Sequence, residues 1–330
     1  MAGSANEGTG GERPRIWITR QLSAATLERA RRDYDVVLDA EDGPRSRAEI
    51  VRRSAEVDAM VPCHSEVFDA DTVAALDART RIIANHSVGV DHCDLEAFGE
   101  RGIVVTNTPD VLSAATAEIA LLLMLGAARR AIEGDRIVRS GEWNSWSPAF
   151  MVGTQVSGAR LGIVGMGRVG QAFAGFARGL GMDVHYHNRT RLDPERENGA
   201  TFHASLDTLL PESTFLSLHC PATPETRHLV DDAFLAALPE GAILVNTARG
   251  SLVDEAALLR AIVSGRLAAA GLDCFETEPG GNPDLAGHDN VFMLPHVGSA
   301  TRSTRDAMGF RALDNLDAFF AGREPGDRLA

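Results

Sequence analysis

Short apolar runs alternate with amphipathic stretches along the chain from residue 15 onward. In its first third the runs are RIWIT at 15–19, DVVL at 35–38, AMVP at 59–62, RIIAN at 81–85 and IVVTN at 103–107. Runs this short are typical of strands that a parallel sheet buries on both faces. Stretches with helical spacing separate them, at about 23–32, 45–53, 70–77 and 94–100. The pattern therefore predicts a βα repeat.

The alternation pauses at residue 112 and then resumes. A long helix is predicted at about 112–130 and another near 131–140, followed by an irregular segment with Trp143 and Trp146. Those tryptophans indicate either a contact surface or a cap on a core. Six more strands are then predicted: LGIVG at 161–165, DVHYH at 183–187, TFLSL at 214–218, AILVN at 242–246, AAAGLD at 268–273 and VFML at 291–294. A last helix, at about 300–322, is expected to pack back onto the first domain.

The strand at 161–165 leads through a glycine turn into a helix. The turn reads Gly165-Met166-Gly167-Arg168-Val169-Gly170. In such a turn the first glycine makes the bend, the second lets the backbone approach a pyrophosphate, and the third lets the helix pack on the strand. The helix N-terminus then faces the phosphates. The motif alone is a weak signal, but the strands on either side favour a dinucleotide site over an accidental glycine turn.

These elements predict an α/β protein with two doubly wound parallel-sheet domains. A Rossmann-type coenzyme domain at 110–298 is inserted into a flavodoxin-like substrate domain, which comprises 15–109 and 299–330. Residues 1–14 are small and polar and lack the apolar centre of a signal peptide, so we expect a disordered tail there.

Composition argues against several classes of protein. The net charge is −14 and there is no basic run, which makes nucleic acid and anionic membranes poor partners. The longest apolar run, IALLLMLGAA at 119–128, is too short to span a bilayer. The 4 cysteines form no CxxC and no zinc-like spacing. We therefore expect free thiols in a reducing cytoplasm and no metal site.

The end of the second strand in the coenzyme domain indicates which dinucleotide binds. The ribose 2′-hydroxyl of NAD is usually held there by Asp or Glu. The sequence instead has Asn188-Arg189-Thr190-Arg191. Two guanidinium groups and a hydroxyl suit a 2′-phosphate, so the sequence predicts that NADPH is preferred over NADH. The alternative is that both arginines are merely solvated.

Three polar residues, Arg249, Glu278 and His296, follow predicted strands that end at one edge of the sheet. A dinucleotide carries hydride, and hydride transfer to a carbonyl needs a proton donor. All 32 residues counted as Lys+Arg are arginine, so no lysine can serve, and histidine is the best donor because its pKa lies near neutrality. Glu278 would raise that pKa and fix the tautomer, while Arg249 would hold a substrate carboxylate. Alone, each residue would be interpreted as structural, but together they favour catalysis.

At these motifs the sequence resembles the D-isomer-specific 2-hydroxyacid dehydrogenase family, over nearly the whole chain from about residue 15. The matching segments are SVGVDHCDL at 87–95, TPDVLSAATAEIALLLML at 108–125, LGIVGMGRVGQA at 161–172, VNTARGSLVDEAAL at 245–258, AAGLDCFETEP at 269–279 and LPHVGSAT at 294–301. Within the family, HNRTR at 187–191 and SGEWNSWSP at 140–148 make the chain most similar to the glyoxylate/hydroxypyruvate reductases.

The resemblance implies a role for each matched residue. Glu278 and His296 would form a proton relay, and Arg249 would bind the substrate. The other residues implied in substrate binding are the backbone amides around Val88, Gly89 and Val90, together with Ser299 and Trp146. The residues implied in cofactor binding are Gly165, Met166, Gly167, Arg168, Val169, Gly170, Asn188, Arg189, Thr190, Arg191, Cys220, Pro221, Thr247, Asp273 and Gly298. A homodimer formed through the coenzyme domain is also implied, in which Trp146 reaches the site of the partner subunit.

The implied reaction is the reduction of glyoxylate or hydroxypyruvate by NADPH to the D-2-hydroxy acid. One segment departs from the family pattern, because Cys63 and His64 stand where small or apolar residues are usual. The substrate preference is therefore less secure than the reaction, and a D-2-hydroxyacid dehydrogenase for a bulkier 2-keto acid stays open as an alternative. Because fold alone does not settle function, a second alternative is a dinucleotide-sensing protein resembling the family's transcriptional corepressors. The Arg249, Glu278 and His296 set argues against the second.

Overall fold

The computed structural model describes residues 13–330, so positions 1–12 of the predicted tail lie outside the described residues. The described chain forms two compact units. The terminal unit comprises the residues up to Val111 together with Thr301–Ala330, and the central unit comprises Leu112–Ala300. The assignment of the terminal unit to the substrate and of the central unit to the coenzyme stays a prediction.

The helices and strands alternate along most of residues 13–330. The strands are β1 (Arg15–Ile18), β2 (Asp35–Leu38), β3 (Ala59–Val61), β4 (Ile82–Ala84), β5 (Val104–Thr106), β6 (Arg160–Val164), β7 (Asp183–His187), β8 (Thr201–His203), β9 (Phe215–Leu218), β10 (Ala242–Asn246), β11 (Leu267–Leu272) and β12 (Val291–Met293). The α-helices are α1 (Ala24–Asp33), α2 (Arg47–Ser54), α3 (Ala70–Ala75), α4 (Leu95–Glu100), α5 (Ser113–Ala128), α6 (Ala131–Ser140), α7 (Arg168–Gly179), α8 (Pro194–Glu197), α9 (Leu206–Leu209), α10 (Asp232–Ala237), α11 (Glu255–Val263), α12 (Pro283–Ala286) and α13 (Arg302–Phe320). Short 3₁₀ helices lie at Leu210–Glu212, Pro224–Thr226 and Gly250–Leu252.

The terminal unit is built on a five-stranded parallel sheet with the order β2-β1-β3-β4-β5. This is the flavodoxin-like order. Ile16 and Ile18 of β1 pack in an apolar cluster with Leu316 of α13, whereas Trp17 packs in a second cluster. Both faces of the sheet are therefore covered, which is why these strands are continuous apolar runs in the sequence.

The central unit is built on a seven-stranded parallel sheet with the order β12-β11-β10-β9-β6-β7-β8. The strand order reverses where β6 pairs with β9, and doubly wound sheets bind ligands at the carboxyl ends of strands beside such a reversal. Helix α5 packs closely on the sheet, since a Cβ on Gly126 would lie 2.1 Å from Cε1 of Phe292. The two parallel sheets confirm the predicted fold class.

The sequence missed one strand, β8. It contains three residues at the edge of the sheet, of which only Phe202 is apolar. Because an edge strand of this length has no apolar run, no periodicity marks it. The other six strands of the central sheet lie within a residue or two of the predicted positions.

Candidate active site

Three neighbouring strands of the central sheet carry the predicted catalytic residues. Arg249 follows β10, Glu278 follows β11 and His296 follows β12, and these strands are adjacent in the order β12-β11-β10. Since the strands are parallel, their carboxyl ends meet at one edge of the sheet. The sheet order therefore places the segments that carry all three residues at that edge.

Glu278 and His296 are in direct contact. His296 Nδ1 lies 2.6 Å from Glu278 Oε2, and the backbone N–H of Phe275 donates to Glu278 Oε1 at 2.8 Å. The carboxylate is thus held at both oxygens, and it orients the imidazole through one ring nitrogen. His296 has a φ of 52°, in the left-handed region that is uncommon for residues other than glycine. The two side chains are 28% and 26% exposed, so solutes can reach them.

Arg249 lies in a tightly packed loop. Its backbone carbonyl accepts a hydrogen bond from Asn246 Nδ2 at 2.8 Å, and its Nη1 donates to the carbonyl of Ala248 at 2.8 Å. The next residue, Gly250, touches the loop that carries Glu278, because a Cβ there would lie 1.9 Å from the carbonyl carbon and oxygen of Phe275. Sequence reasoning missed Gly250, although it stands beside Arg249 in the matched segment VNTARGSLVD.

Asp273 connects the end of β11 to the segment around His296. Its carboxylate is buried and accepts hydrogen bonds from the backbone N–H groups of Val297 at 2.8 Å and Gly298 at 2.7 Å. Burial raises the pKa of Asp273. These contacts hold the residues that follow His296, a role that the sequence did not assign to Asp273. Ser299, the next predicted site residue, lies in the same segment and is partly exposed.

The glycine turn has the geometry that its sequence predicts. Gly165 has a φ of 93°, and a Cβ on it would lie 2.4 Å from the backbone nitrogen of Cys220. A Cβ on Gly170 would lie 2.6 Å from the carbonyl oxygen of Gly165, so this glycine lets α7 approach β6. Gly167 is the N-cap of α7 and gives it no side-chain cap, and a Cβ there would meet nothing within 4 Å. The N-terminus of α7 has no side-chain cap and has open space beside Gly167, so it fits a bound phosphate.

Two residues of the predicted cofactor site shape this turn. Asn188, directly after β7, accepts a hydrogen bond from the backbone N–H of Met166 through Oδ1 at 2.6 Å. The side chain of Met166 is fully buried in the core. Met166 therefore has its N–H group and its side chain engaged inside the protein, unlike exposed Gly167 and Arg168 and partly exposed Val169.

The two arginines after β7 have different surroundings. Arg191 forms a bidentate ion pair with Glu197, at 2.7 and 3.0 Å, and the buried Glu197 also accepts the hydroxyl of Tyr186 at 2.6 Å. This contact lowers the pKa of the Glu197 carboxyl. Arg189 and Thr190 are exposed. Sequence reasoning missed Glu197, which gives Arg191 an acceptor within the protein.

A further residue that the sequence did not single out is His219, at the end of β9. Its Nε2 lies 2.9 Å from Ser217 Oγ, its Nδ1 lies 3.4 Å from Thr247 Oγ1, and its ring packs on Phe173. Desolvation lowers its pKa to about 3, so the imidazole is neutral at pH 7. His219 thus ties together the ends of β9 and β10, where Cys220 and Thr247 are predicted to line the cofactor. Pro221 follows in the same segment, and its carbonyl accepts the Thr226 hydroxyl at 2.9 Å.

The remaining predicted residues lie elsewhere. Val88, Gly89 and Val90 are partly exposed in the loop after β4 of the terminal unit. The loop with Cys63 and His64 follows β3 of the same sheet. Trp146 lies in the central unit after α6, and its side chain is 74% exposed. This exposure favours a contact surface over a cap on a core.

Comparison with known proteins agrees with this architecture. Residues 121–298 match the family model described as D-isomer specific 2-hydroxyacid dehydrogenase, NAD binding domain. The chain is 42% identical over 318 residues to a glycerate dehydrogenase of Hyphomicrobium methylovorum, which covers 96% of this chain and 99% of the relative. It is 43% identical over 318 residues to a glyoxylate reductase of Thermococcus kodakarensis, covering 95% of each.

A solved structure shares the same fold. It is an NADPH-dependent glyoxylate/hydroxypyruvate reductase from Sinorhizobium meliloti in complex with NADP and malonate, with a TM-score of 0.85, 33% identity and 97% of each chain covered. The fold, the site and these similarities define a hydride-transferring oxidoreductase of the Rossmann type. The chain belongs to the D-isomer specific 2-hydroxyacid dehydrogenase family. Among residues 13–330, the structure contains no helix with the length and apolar character needed to cross a membrane.

Proposed function

We propose that this protein reduces glyoxylate and hydroxypyruvate with NADPH to the corresponding D-2-hydroxy acids. The observation that carries the proposal is the 2.6 Å contact between His296 and Glu278, which follow β12 and β11, with Arg249 after the adjoining strand β10. This is the donor set that a 2-keto acid requires, with one cation for its carboxylate and one acid for its carbonyl oxygen. The similarity to relatives named glyoxylate reductase supports this choice of substrate.

In the proposed mechanism, Arg249 holds the substrate carboxylate and polarises the neighbouring carbonyl. The bound dinucleotide supplies the hydride. His296 donates a proton to the carbonyl oxygen from Nε2, because its Nδ1 is bonded to Glu278. Glu278 stabilises the imidazolium before transfer and keeps the tautomer that aims Nε2 at the substrate. Backbone amides of Val88, Gly89 and Val90 bind the carboxylate, and Ser299 lies beside His296.

For the cofactor we propose that the pyrophosphate lies at the N-terminus of α7, against Gly167, Arg168 and Val169. Thr247, Cys220, Pro221, Asp273 and Gly298 line the remainder of the cofactor site. Arg189 and Thr190 recognise the 2′-phosphate, and their exposure supports this assignment. Arg191 contributes less than the sequence implied, because its guanidinium group is bound to Glu197.

We also propose that the protein forms a homodimer through the central unit. Helix α6 contains no buried residue, and its Ile132 and Val138 are 43% and 61% exposed. Trp143, Trp146, Phe150 and Val152 of the following segment are exposed as well. An apolar surface of this extent on one chain supports a second copy as its cover, with Trp146 reaching the site of that copy.

The proposal is tested by initial rates with glyoxylate, hydroxypyruvate and pyruvate, each with NADPH and with NADH. The expected result is the highest kcat/KM for glyoxylate or hydroxypyruvate with NADPH. A higher kcat/KM for a bulkier 2-keto acid would contradict the substrate assignment, and a preference for NADH would contradict the cofactor assignment. No oxidation of either dinucleotide with any 2-keto acid would refute the proposed activity.

A further inference from the structure

The loop that follows β4 presents three consecutive backbone N–H groups. Among the described residues, none accepts a hydrogen bond from the N–H groups of Val88, Gly89 or Val90, and these three residues are partly exposed. Successive N–H groups of this kind form an anion-binding surface when they point to the same side. The direction of these three N–H groups depends on the hydrogen bonds that the carbonyl groups of the same loop accept.

The carbonyl groups of Ser87, Val88 and Gly89 each accept a hydrogen bond. The carbonyl of Ser87 accepts from the N–H of Thr108 at 3.0 Å, and that of Gly89 accepts from Ser87 Oγ at 2.8 Å. The carbonyl of Val88 accepts from Asn107 Nδ2 at 2.9 Å. A planar trans peptide group directs its N–H opposite to its carbonyl. These three contacts therefore direct the N–H groups of Val88, Gly89 and Val90.

Of these three donors, Asn107 is the one that reaches the loop with a side chain from another segment. The backbone of Asn107 is itself held by hydrogen bonds. Its carbonyl accepts from Asn315 Nδ2 of α13 at 3.3 Å, and its N–H donates to the carbonyl of Asp327 at 3.4 Å. Asn315 is buried, and its Nδ2 also donates to Asp327 Oδ2 at 3.0 Å. The amide of Asn107 thus joins the loop to the helix and the C-terminal segment of the same unit.

We propose that Asn107 is a positioning residue for the substrate carboxylate: its side-chain amide holds the carbonyl of Val88 and thereby directs the N–H group of Gly89, the middle one of the three, at the anion. This inference rests on the proposed substrate site at Val88–Val90. Asn107 itself contacts neither the reacting carbonyl nor the dinucleotide in this role. Its effect is therefore on the binding of the keto acid, with little effect on hydride transfer.

The test compares Asn107→Ala with Asn107→Leu, which removes the donor but keeps most of the side-chain volume. The expected result for both is a KM for glyoxylate raised roughly five- to tenfold, as for the loss of one hydrogen bond. The KM for NADPH and the kcat should stay within about twofold of wild type. Asn290→Ala is the matched control, because Asn290 Nδ2 also donates to a backbone carbonyl, that of Ala268 at 3.0 Å. This contact lies at the amino ends of β11 and β12, away from the edge where Arg249, Glu278 and His296 lie.

Two outcomes separate this inference from the proposed function. If wild type reduces glyoxylate and both Asn107 variants keep its KM, or lose only kcat and thermal stability, the positioning role is wrong while the proposed function stands. If wild type reduces no 2-keto acid, the proposed function is wrong, and hydrogen exchange of the 86–93 amides then decides the positioning role. Faster exchange in Asn107→Leu, including at Cys93 N–H on the Val90 carbonyl, would support it. Unchanged exchange would overturn it.

Discussion

At the scale of single residues, the proposed proton transfer depends on the contact between His296 Nδ1 and Glu278 Oε2, which determines the ring nitrogen that would deliver the proton. A histidine whose second nitrogen is held by a carboxylate keeps one tautomer and one ring orientation. The left-handed backbone of His296 adds a constraint, because few residues other than glycine adopt such a φ without support from their surroundings. Here the support includes Asp273, which holds the next two N–H groups.

We predict that His296→Asn or Glu278→Gln lowers kcat by about two to four orders of magnitude, the usual effect of losing a general acid or its partner. The measurement is steady-state turnover with glyoxylate and NADPH. Glu276→Gln is a matched control from the same loop, because Glu276 pairs with a different histidine, His228. Near-normal turnover in both site variants would remove the basis of the proposed mechanism.

The proposed preference for NADPH also depends on single residues. Replacing Arg189 with Asp should raise the KM for NADPH and shift the preference toward NADH, because a carboxylate repels a 2′-phosphate and can accept the ribose 2′-hydroxyl. The measurement is the ratio of kcat/KM for the two dinucleotides. Arg196→Asp makes the same charge change at another exposed arginine and should leave the ratio nearly unchanged. A ratio unaffected by Arg189→Asp would refute the assigned phosphate contact.

At the scale of elements, the loops after β10 and β11 pack closely together because Gly250 has no side chain. Gly250 begins the 3₁₀ helix after Arg249, and it touches the backbone of Phe275, whose N–H holds Glu278. Arg249 and the Glu278–His296 pair are therefore parts of one packed arrangement, although Arg249 and Glu278 lie 29 positions apart in the sequence.

Gly250→Ala should consequently disturb both loops. Its Cβ would lie 1.9 Å from Phe275, so the backbone must move, and we expect a loss of about 1–3 kcal/mol in the free energy of unfolding together with a lower kcat. Denaturant unfolding and steady-state kinetics measure the two effects. Gly175→Ala in α7, where a Cβ meets nothing within 4 Å, should be neutral or stabilising by up to about 1 kcal/mol. Equal behaviour of the two variants would contradict this account of the site.

At the scale of the whole molecule, the exposed apolar side chains concentrate around α6 and the segment after it. If this surface joins two copies, Val138→Glu should give a monomer, because a charge would be buried without a partner. Light scattering coupled to size-exclusion chromatography measures the mass. Val263→Glu is the control, since Val263 of α11 is 66% exposed and lies outside this surface. A wild-type monomer, or a dimer that survives Val138→Glu, would be evidence against this interface.

The sequence determined the architecture by itself, for a physical reason. Strands of a parallel sheet covered on both faces must be apolar throughout, so runs such as RIWIT and AILVN mark them without any structure. A turn against a phosphate needs glycines at fixed positions, so Gly165, Gly167 and Gly170 were recognisable too. Because parallel strands end at one edge of their sheet, the sequence also predicted that Arg249, Glu278 and His296 lie along that edge.

Only the tertiary structure decided which of these residues touch and what else holds them. Glu197 forms an ion pair with Arg191, Gly250 lets two loops pack together, and Asn107 donates a hydrogen bond to the carbonyl of Val88. Glu197 lies six residues beyond Arg191, Gly250 acts through a missing Cβ and Asn107 acts through a backbone carbonyl, and none of these contacts leaves a periodic signal in a single sequence. Hydrophobic pattern specifies which elements form, whereas hydrogen bonds between loops depend on their positions after folding.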